Sequence, residues 1–186
     1  AHIVIGLPAS GKSTTLVDPL SATYNARVMD SDIIKERLPE FDDGYGAGIV
    51  HEESKDVLFS AFEEAAERGD NMVIPIVGAK ESSVMDWVEP LKKKSYKVYL
   101  HLNSLDPWKA AGRNLGRFAN TGRFLNLVET SFKYKNKPKE VFDKLIEEGI
   151  FDGYSEVNAD VPKGTDPEQL RGTEQIDFGW KINSQR

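Results

Sequence analysis

The chain has no cysteine among its 186 residues, which excludes a disulfide framework and any thiolate zinc site. It also lacks an apolar run long enough for a secretory core or a membrane span, so a cytoplasmic protein without a membrane partner is expected. No internal repeat or long low-complexity segment interrupts it, and no H-E-x-x-H or C-x-x-C spacing offers a structural metal site. Positive charge is in deficit: 24 Lys and Arg against 30 Asp and Glu leave a net charge of −6. A surface that coats nucleic acid is therefore not a general property of the chain, and any anion site must be built locally.

Such a site is written near the start. Gly6 to Ser13 reads Gly-Leu-Pro-Ala-Ser-Gly-Lys-Ser, a full G-x-x-x-x-G-K-[ST] loop, and the preceding His2-Ile3-Val4-Ile5 reads as a buried strand. The glycines let the backbone curl with its N–H groups inward, and the helix N-terminus that follows adds positive dipole to the cradle. On this reading Gly6, Pro8, Ala9, Ser10, Gly11, Lys12, Ser13 and Thr14 hold a nucleoside triphosphate. Lys12 reaches the β- and γ-phosphates, and the Ser13 hydroxyl ligates Mg²⁺.

Short apolar runs recur at Val28-Met29, 72–77 and 98–102, with helical patterns between them. This alternation predicts a three-layer α/β/α sandwich on a mostly parallel sheet, a P-loop NTPase kinase-like fold in a single domain over residues 1–186. Val57, Leu58, Ala61, Phe62 and Ala65 fall on one face of a helix over 50–68, which Gly69 stops. Further helices are expected at 84–94, 107–118 and 141–148, and a short strand at 155–157. Pro75 cannot donate a ladder hydrogen bond, so it is placed at the C-terminal end of its strand, where Pro75 to Gly78 would line the ligand crevice. From about residue 160, Pro162, Gly164, Pro167, Gly172 and Gly179 suggest a loosely structured tail.

Asp30-Ser31-Asp32 stands where the second strand meets a new helix. Two carboxylates at alternate positions beside a phosphate cradle suit phosphoryl transfer, with Asp32 accepting a substrate hydroxyl proton and Asp30 organising Mg²⁺ through water. Asp30 or Ser31 also suits the cap of the helix beginning near Ile33, and both jobs fit one turn. Arg113 and Arg117 lie four apart on one helix face and Arg123 follows; their guanidinium forks suit phosphoryl oxygens. Glu52 and Glu53 follow a glycine-rich stretch, Gly44 to Gly48, and serve either the helix dipole or a substrate hydroxyl. His101, Trp87, Trp108 and Trp180 read as packing residues. The lysines at 92–94 and at 133, 135, 137 and 139 read as solvated surface.

Together, Gly6 to Ser13, Asp30-Ser31-Asp32, Leu38-Pro39-Glu40-Phe41, His51-Glu52-Glu53-Ser54 and the Arg113, Arg117, Gly122-Arg123-Phe124 segment resemble the zeta-toxin family of P-loop kinases. The resemblance implies an ATP- or GTP-dependent, Mg²⁺-using kinase that phosphorylates a sugar hydroxyl of a nucleotide-containing small molecule. UDP-N-acetylglucosamine is the family's best-known acceptor, and NAD-type dinucleotides serve related proteins. It implies nucleotide and metal roles for Lys12 and Ser13, a catalytic role for Asp32, and phosphate contacts for Arg117 and Arg123. A protein antitoxin would be a natural partner. Where the nucleotide-sugar kinases carry a Glu-Gly-Thr-Gly type segment, this chain has Pro75-Ile76-Val77-Gly78, so the acceptor grip differs. A hydroxyl on nucleic acid, such as a 5′ end or a hydroxymethylated base, is the second acceptor reading, supported by the lysine runs. A nucleotide-gated binding module is the third.

Overall fold

β1 (His2–Ile5) is buried along its whole length. A strand covered on both faces must be apolar throughout rather than alternating, as Ile3-Val4-Ile5 is. A computed structural model describes residues 1–35, 51–113, 133–162, 165–173 and 176, all but His51 and Glu52 with their side chains. In it β1 sits inside a six-stranded sheet of order β2-β3-β1-β4-β5-β6, formed with β2 (Arg27–Val28), β3 (Met72–Ile76), β4 (Tyr99–Ser104), β5 (Gly153–Asn158) and β6 (Glu168–Gly172). The first five strands run parallel; β6 is antiparallel to β5.

Strand alternation divides the core. Ile3, Ile5, Met72, Ile74, Leu100 and Leu102 face a layer built from α3 (His51–Arg68), α4 (Glu81–Lys93) and α5 (Lys137–Glu147), whose Phe62, Ala65, Trp87, Leu91, Phe142 and Leu145 complete the larger cluster. Val4, Val73 and Val157 face the other way, against Leu16, Val17 and Leu20. The expected three-layer α/β/α architecture is thus observed. Within α3 the core face is Leu58, Phe62, Ala65 and Ala66; Val57 is 44% exposed, so that face is rotated from the one its apolar spacing suggests.

The helix after the phosphate loop is not a plain α-helix. It begins as a π-helical turn (Ser13–Val17) and continues as α1 (Asp18–Tyr24), with the Asp18 N–H reaching back five residues to Ser13 O. Pro19 supplies the cause: it has no N–H for the Thr15 carbonyl, and its ring crowds that carbonyl, so the turn before it widens. α1 stops at Asn25 in the left-handed conformation, one that asparagine tolerates.

Pro75 lies inside β3, in register with Val4. The Asn71 and Val73 carbonyls accept from Arg27 and Met29, so residues 71, 73 and 75 present their backbone groups to β2. The N–H missing at 75 is therefore the one that would have continued the β2 ladder past Met29. β2 ends there, and no bond to β1 is lost.

On the α1 face, β1, β4 and β5 carry a buried polar row. His2 Nδ1 lies 2.9 Å from His101 Nε2, and His101 Nδ1 lies 2.7 Å from Ser155 Oγ. His2 also stacks on Tyr24 and Tyr99. Burial pushes His2 down to about 3 and His101 well below the ordinary histidine range, so both rings are neutral and share one tautomeric chain. His101 is thus the hydrogen-bonded core residue expected from its strand.

Beyond Asp160, where proline and glycine suggest loops, the chain adds β6. Its register is fixed by side chains: Arg171 Nε lies 2.6 Å from Glu156 and its guanidinium also pairs with Asp143 on α5. Glu156 is almost fully buried, and Lys139 at 3.2 Å supplies a second cation. Ile176 closes against the Val4 cluster.

Candidate functional site

β1 delivers the chain to the carboxyl edge of the sheet, the side on which open α/β folds bind ligands. There Gly6 donates its N–H to Val77 O at 3.2 Å, tying the loop to the exit of β3. A Cβ on Gly6 would stand 2.8 Å from Asn103 O, so only glycine lets the loop pass this close to β4. Ala9 takes a left-handed φ of 57°, strain of the kind that collects at functional turns. Lys12 Nζ donates to Gly6 O at 2.8 Å and Leu7 O at 3.0 Å, arching over the loop. Ser13 and Thr14 are exposed at the helix start.

Loss of water around Lys12 pushes its pKa down to about 8, against the opposing pull of the Asp30 and Asp32 charges. Those two acids are therefore within electrostatic reach of the loop lysine. Asp30 Oδ1 accepts the Asp32 N–H at 2.9 Å, which makes Asp30 the cap of α2 (Ser31–Lys35). Burial nevertheless raises its pKa, with the Asp32 charge adding to the effect and the Asp32 N–H and Lys12 opposing it. Asp32 projects from the first turn of α2 with its side chain about half exposed and Lys35 Nζ 3.3 Å from Oδ1. Capping and a place beside the phosphate loop thus coexist on one turn.

The opposite flank differs. Asn103 on β4 is fully buried, and its Nδ2 donates to Ser10 O at 2.9 Å and Ser10 Oγ at 3.0 Å. Arg113, at the end of the described helical stretch 107–113, donates to Ser10 O at 3.3 Å, Ala159 O at 2.8 Å and Val161 O at 3.4 Å. A cavity of about 160 Å³ opens on this flank between Gly6-Leu7, the exit of β4 and the start of α5.

A family model of the AAA domain matches residues 2–141. The chain belongs to that family. No curated protein sequence matches this AAA domain. Among solved structures, one from the PezAT chromosomal toxin-antitoxin system of the human pathogen Streptococcus pneumoniae is 17% identical, with a TM-score of 0.66 over 99% of this chain and 75% of that one. A putative kinase from Chloroflexus aurantiacus is 21% identical, TM-score 0.54, over 66% of this chain and 67% of that one. The AvrRxo1-ORF1:-ORF2 structure with ATP is 15% identical, TM-score 0.64, over 98% of this chain and 62% of that one. At these identities the likeness is one of fold. The fold is the α/β P-loop NTPase kinase-like one that the sequence led one to expect.

Of the expected site residues, the AAA domain brings Lys12, Asp30 and Asp32 within electrostatic reach of one another at the carboxyl edge, beside the loop residues 6–14. Arg117 and Arg123 lie outside the described residues, as do Leu38 to Phe41 and the glycines at 44–48. Glu53 is exposed in the first turn of α3, a helix that packs on α2; the Glu52 side chain is outside the described set. Gly78 has a structural reason of its own: at a φ of 67° its backbone lies on Ile5, and a Cβ would come within 2.5 Å of that side chain.

For Mg²⁺ the donors are hard oxygens, the Ser13 hydroxyl and the Asp30 carboxylate near Lys12, and a cation of that kind fits them together with phosphate oxygens. Among the described residues no group of three or more His, Asp or Glu side chains forms a metal cluster, and no helix is long and apolar enough to cross a membrane. Asn103 is the functional candidate that motif reading passes over. The signal was a carboxamide inside an apolar strand, since a buried amide needs partners and those partners locate the loop.

Proposed function

We propose that this AAA domain is a phosphotransferase that moves the γ-phosphoryl group of ATP or GTP to a hydroxyl of a nucleotide-containing small molecule, such as a nucleotide-sugar or an NAD-type dinucleotide. The observation that carries the reading is the geometry of the loop, with Lys12 Nζ arched onto the Gly6 and Leu7 carbonyls and the Asp30–Asp32 turn at the same edge of the sheet, where the two acids act on the lysine's charge. Lys12 leaves the Gly6 and Leu7 carbonyls for the β- and γ-phosphates, whose charge restores its proton affinity. Asp32 aligns the acceptor hydroxyl and takes its proton, while Arg117 and Arg123 neutralise the group in transit. When bound, Mg²⁺ held by Ser13, and through water by Asp30, neutralises charge on the phosphates.

Lys92 pairs with Asp152, Lys139 with Asp143 and Glu156, and Lys144 with Glu81. Lys92 and Lys139, one from each lysine run, are thus engaged within the chain, which favours a small acceptor over nucleic acid. The neighbours described as a toxin-antitoxin system and as an ORF1:ORF2 pair support a protein partner. Incubation with labelled ATP, Mg²⁺ and acceptor pools, followed by mass spectrometry, tests the reading: one acceptor gains a phosphate. No transfer to any hydroxyl compound, with nucleotide merely altering association, would instead establish a binding module.

A further inference from the structure

Gly11 belongs to the phosphate cradle only if its N–H points inward, and a peptide unit holds its C=O and N–H in opposite directions. Whatever fixes the Ser10 carbonyl therefore aims the Gly11 N–H. Two side chains from separate parts of the fold converge on that carbonyl, Asn103 Nδ2 at 2.9 Å and Arg113 Nη1 at 3.3 Å. Among the described residues no group accepts from the Gly11 N–H, while Gly11 O already receives the Thr15 N–H at 3.1 Å and the Thr14 hydroxyl at 3.2 Å. The Thr15 hydroxyl lies between Gly11 O at 2.9 Å and Asn103 Oδ1 at 2.5 Å, and with Nδ2 turned to Ser10 and Oδ1 to this hydroxyl the Asn103 amide has one orientation. The other guanidinium arm of Arg113 is held by the carbonyls of Ala159 and Val161 after β5.

We propose that Asn103 and Arg113 are positioning residues that clamp the Ser10–Gly11 peptide, turning its N–H toward the phosphates, and that Arg113 acts through the loop rather than by touching nucleotide. This deepens the phosphotransferase reading and rests on it. The clamp predicts a selective loss. Removing it weakens ligands recognised through their phosphate chain and spares recognition of the nucleoside.

The test uses the full chain and its Arg113→Gln and Asn103→Ala variants, with inorganic tripolyphosphate, ATP and adenosine as probes in calorimetry, and with the Gly11 amide followed by NMR. Expected are losses of about tenfold in tripolyphosphate and ATP affinity, equivalent to about 1.4 kcal/mol, with adenosine affinity unchanged. The downfield movement of the Gly11 amide proton on ATP binding shrinks in both variants. The double variant loses less than the product of the single losses, because both act on one carbonyl. Equal losses for adenosine and ATP in Arg113→Gln would make Arg113 a base contact and overturn the proposal, and so would unchanged tripolyphosphate binding or an unchanged Gly11 shift. Should Asn103→Ala not fold, Arg113→Gln alone decides, since it leaves the buried Asn103 bonds in place. A parent protein that binds neither ATP nor tripolyphosphate would refute the phosphotransferase reading itself, a separate outcome.

Discussion

The two flanks of the phosphate loop are built on opposite principles. Toward β2, charged groups sit close together with their proton affinities displaced: Lys12 is driven down, Asp30 is driven up and Asp32 reaches solvent. Toward β4 and β5, polar groups are saturated, with Asn103 and Arg113 spending their donors on backbone carbonyls. A group held away from its preferred ionisation can do work when a ligand arrives, whereas a satisfied group fixes geometry. Chemistry is therefore assigned to the first flank and rigidity to the second.

The sharpest way to break that division is Asp32→Asn. Phosphoryl transfer should fall by about 10² to 10⁴ in single-turnover assays, with nucleotide affinity nearly unchanged. A variant as fast as the parent would strip the acidic flank of its chemistry.

Lys12→Met comes next and should act in two directions. ATP affinity drops by about tenfold to a hundredfold as a charge-assisted contact is lost, while the nucleotide-free protein melts about 2 to 4 °C higher. The sign follows from the lysine's folded pKa of about 8 against 10.5 when unfolded. Between those values the unfolded chain holds more protons, so this group's contribution to stability rises with pH, and at pH 7 the buried charge is a cost. In the same window, binding a triphosphate returns the proton, and calorimetry at pH 9 in buffers of different ionisation heat should register uptake that Lys12→Met abolishes.

Gly78→Ala probes the seam between β3 and the loop. Its new Cβ has no room beside Ile5 and the backbone is in a region that disfavours alanine, so a loss of about 2 to 3 kcal/mol is expected in denaturant unfolding. Wild-type stability here would remove the structural reading of this glycine.

The smallest effect concerns the satisfied interior. His2 and His101 are held below the unfolded value of 6.5, so their contribution is complete above that pH and is lost as pH falls below it, for His2 down to about 3. The slope is at most about 1.4 kcal/mol per unit for each ring. A His101→Gln variant should flatten the decline in melting temperature between pH 6.5 and 4.5.

What could be read from the amino acids was whatever is encoded locally. The loop, the runs that became β1, β3 and β4, and the helices ended by Gly69 and Gly149 all carry their signals within a few residues. β6 was hidden because its partners are distant: Arg171 is organised by Glu156 and Asp143, and nothing near Leu170 announces a strand. Apolar spacing alone leaves a helix free to rotate by part of a turn, and packing keeps Leu58, Phe62 and Ala65 inside while turning Val57 out and Ala66 in. The acid pair and its capping role are both readable beside the loop motif, yet the choice of Asp30 over Ser31 as the cap is settled only by the fold. Asn103 needed them most, since its three bonds span residues 10 to 103.

The proline at position 75 has one more consequence. By ending the edge ladder at Met29, it leaves the turn bearing Asp30 and Asp32 joined to the sheet by a two-residue strand. Residues can therefore be inserted beyond the acid pair without unzipping the central strands. Loops of new length that keep both carboxylates in place are the natural starting point for redesign.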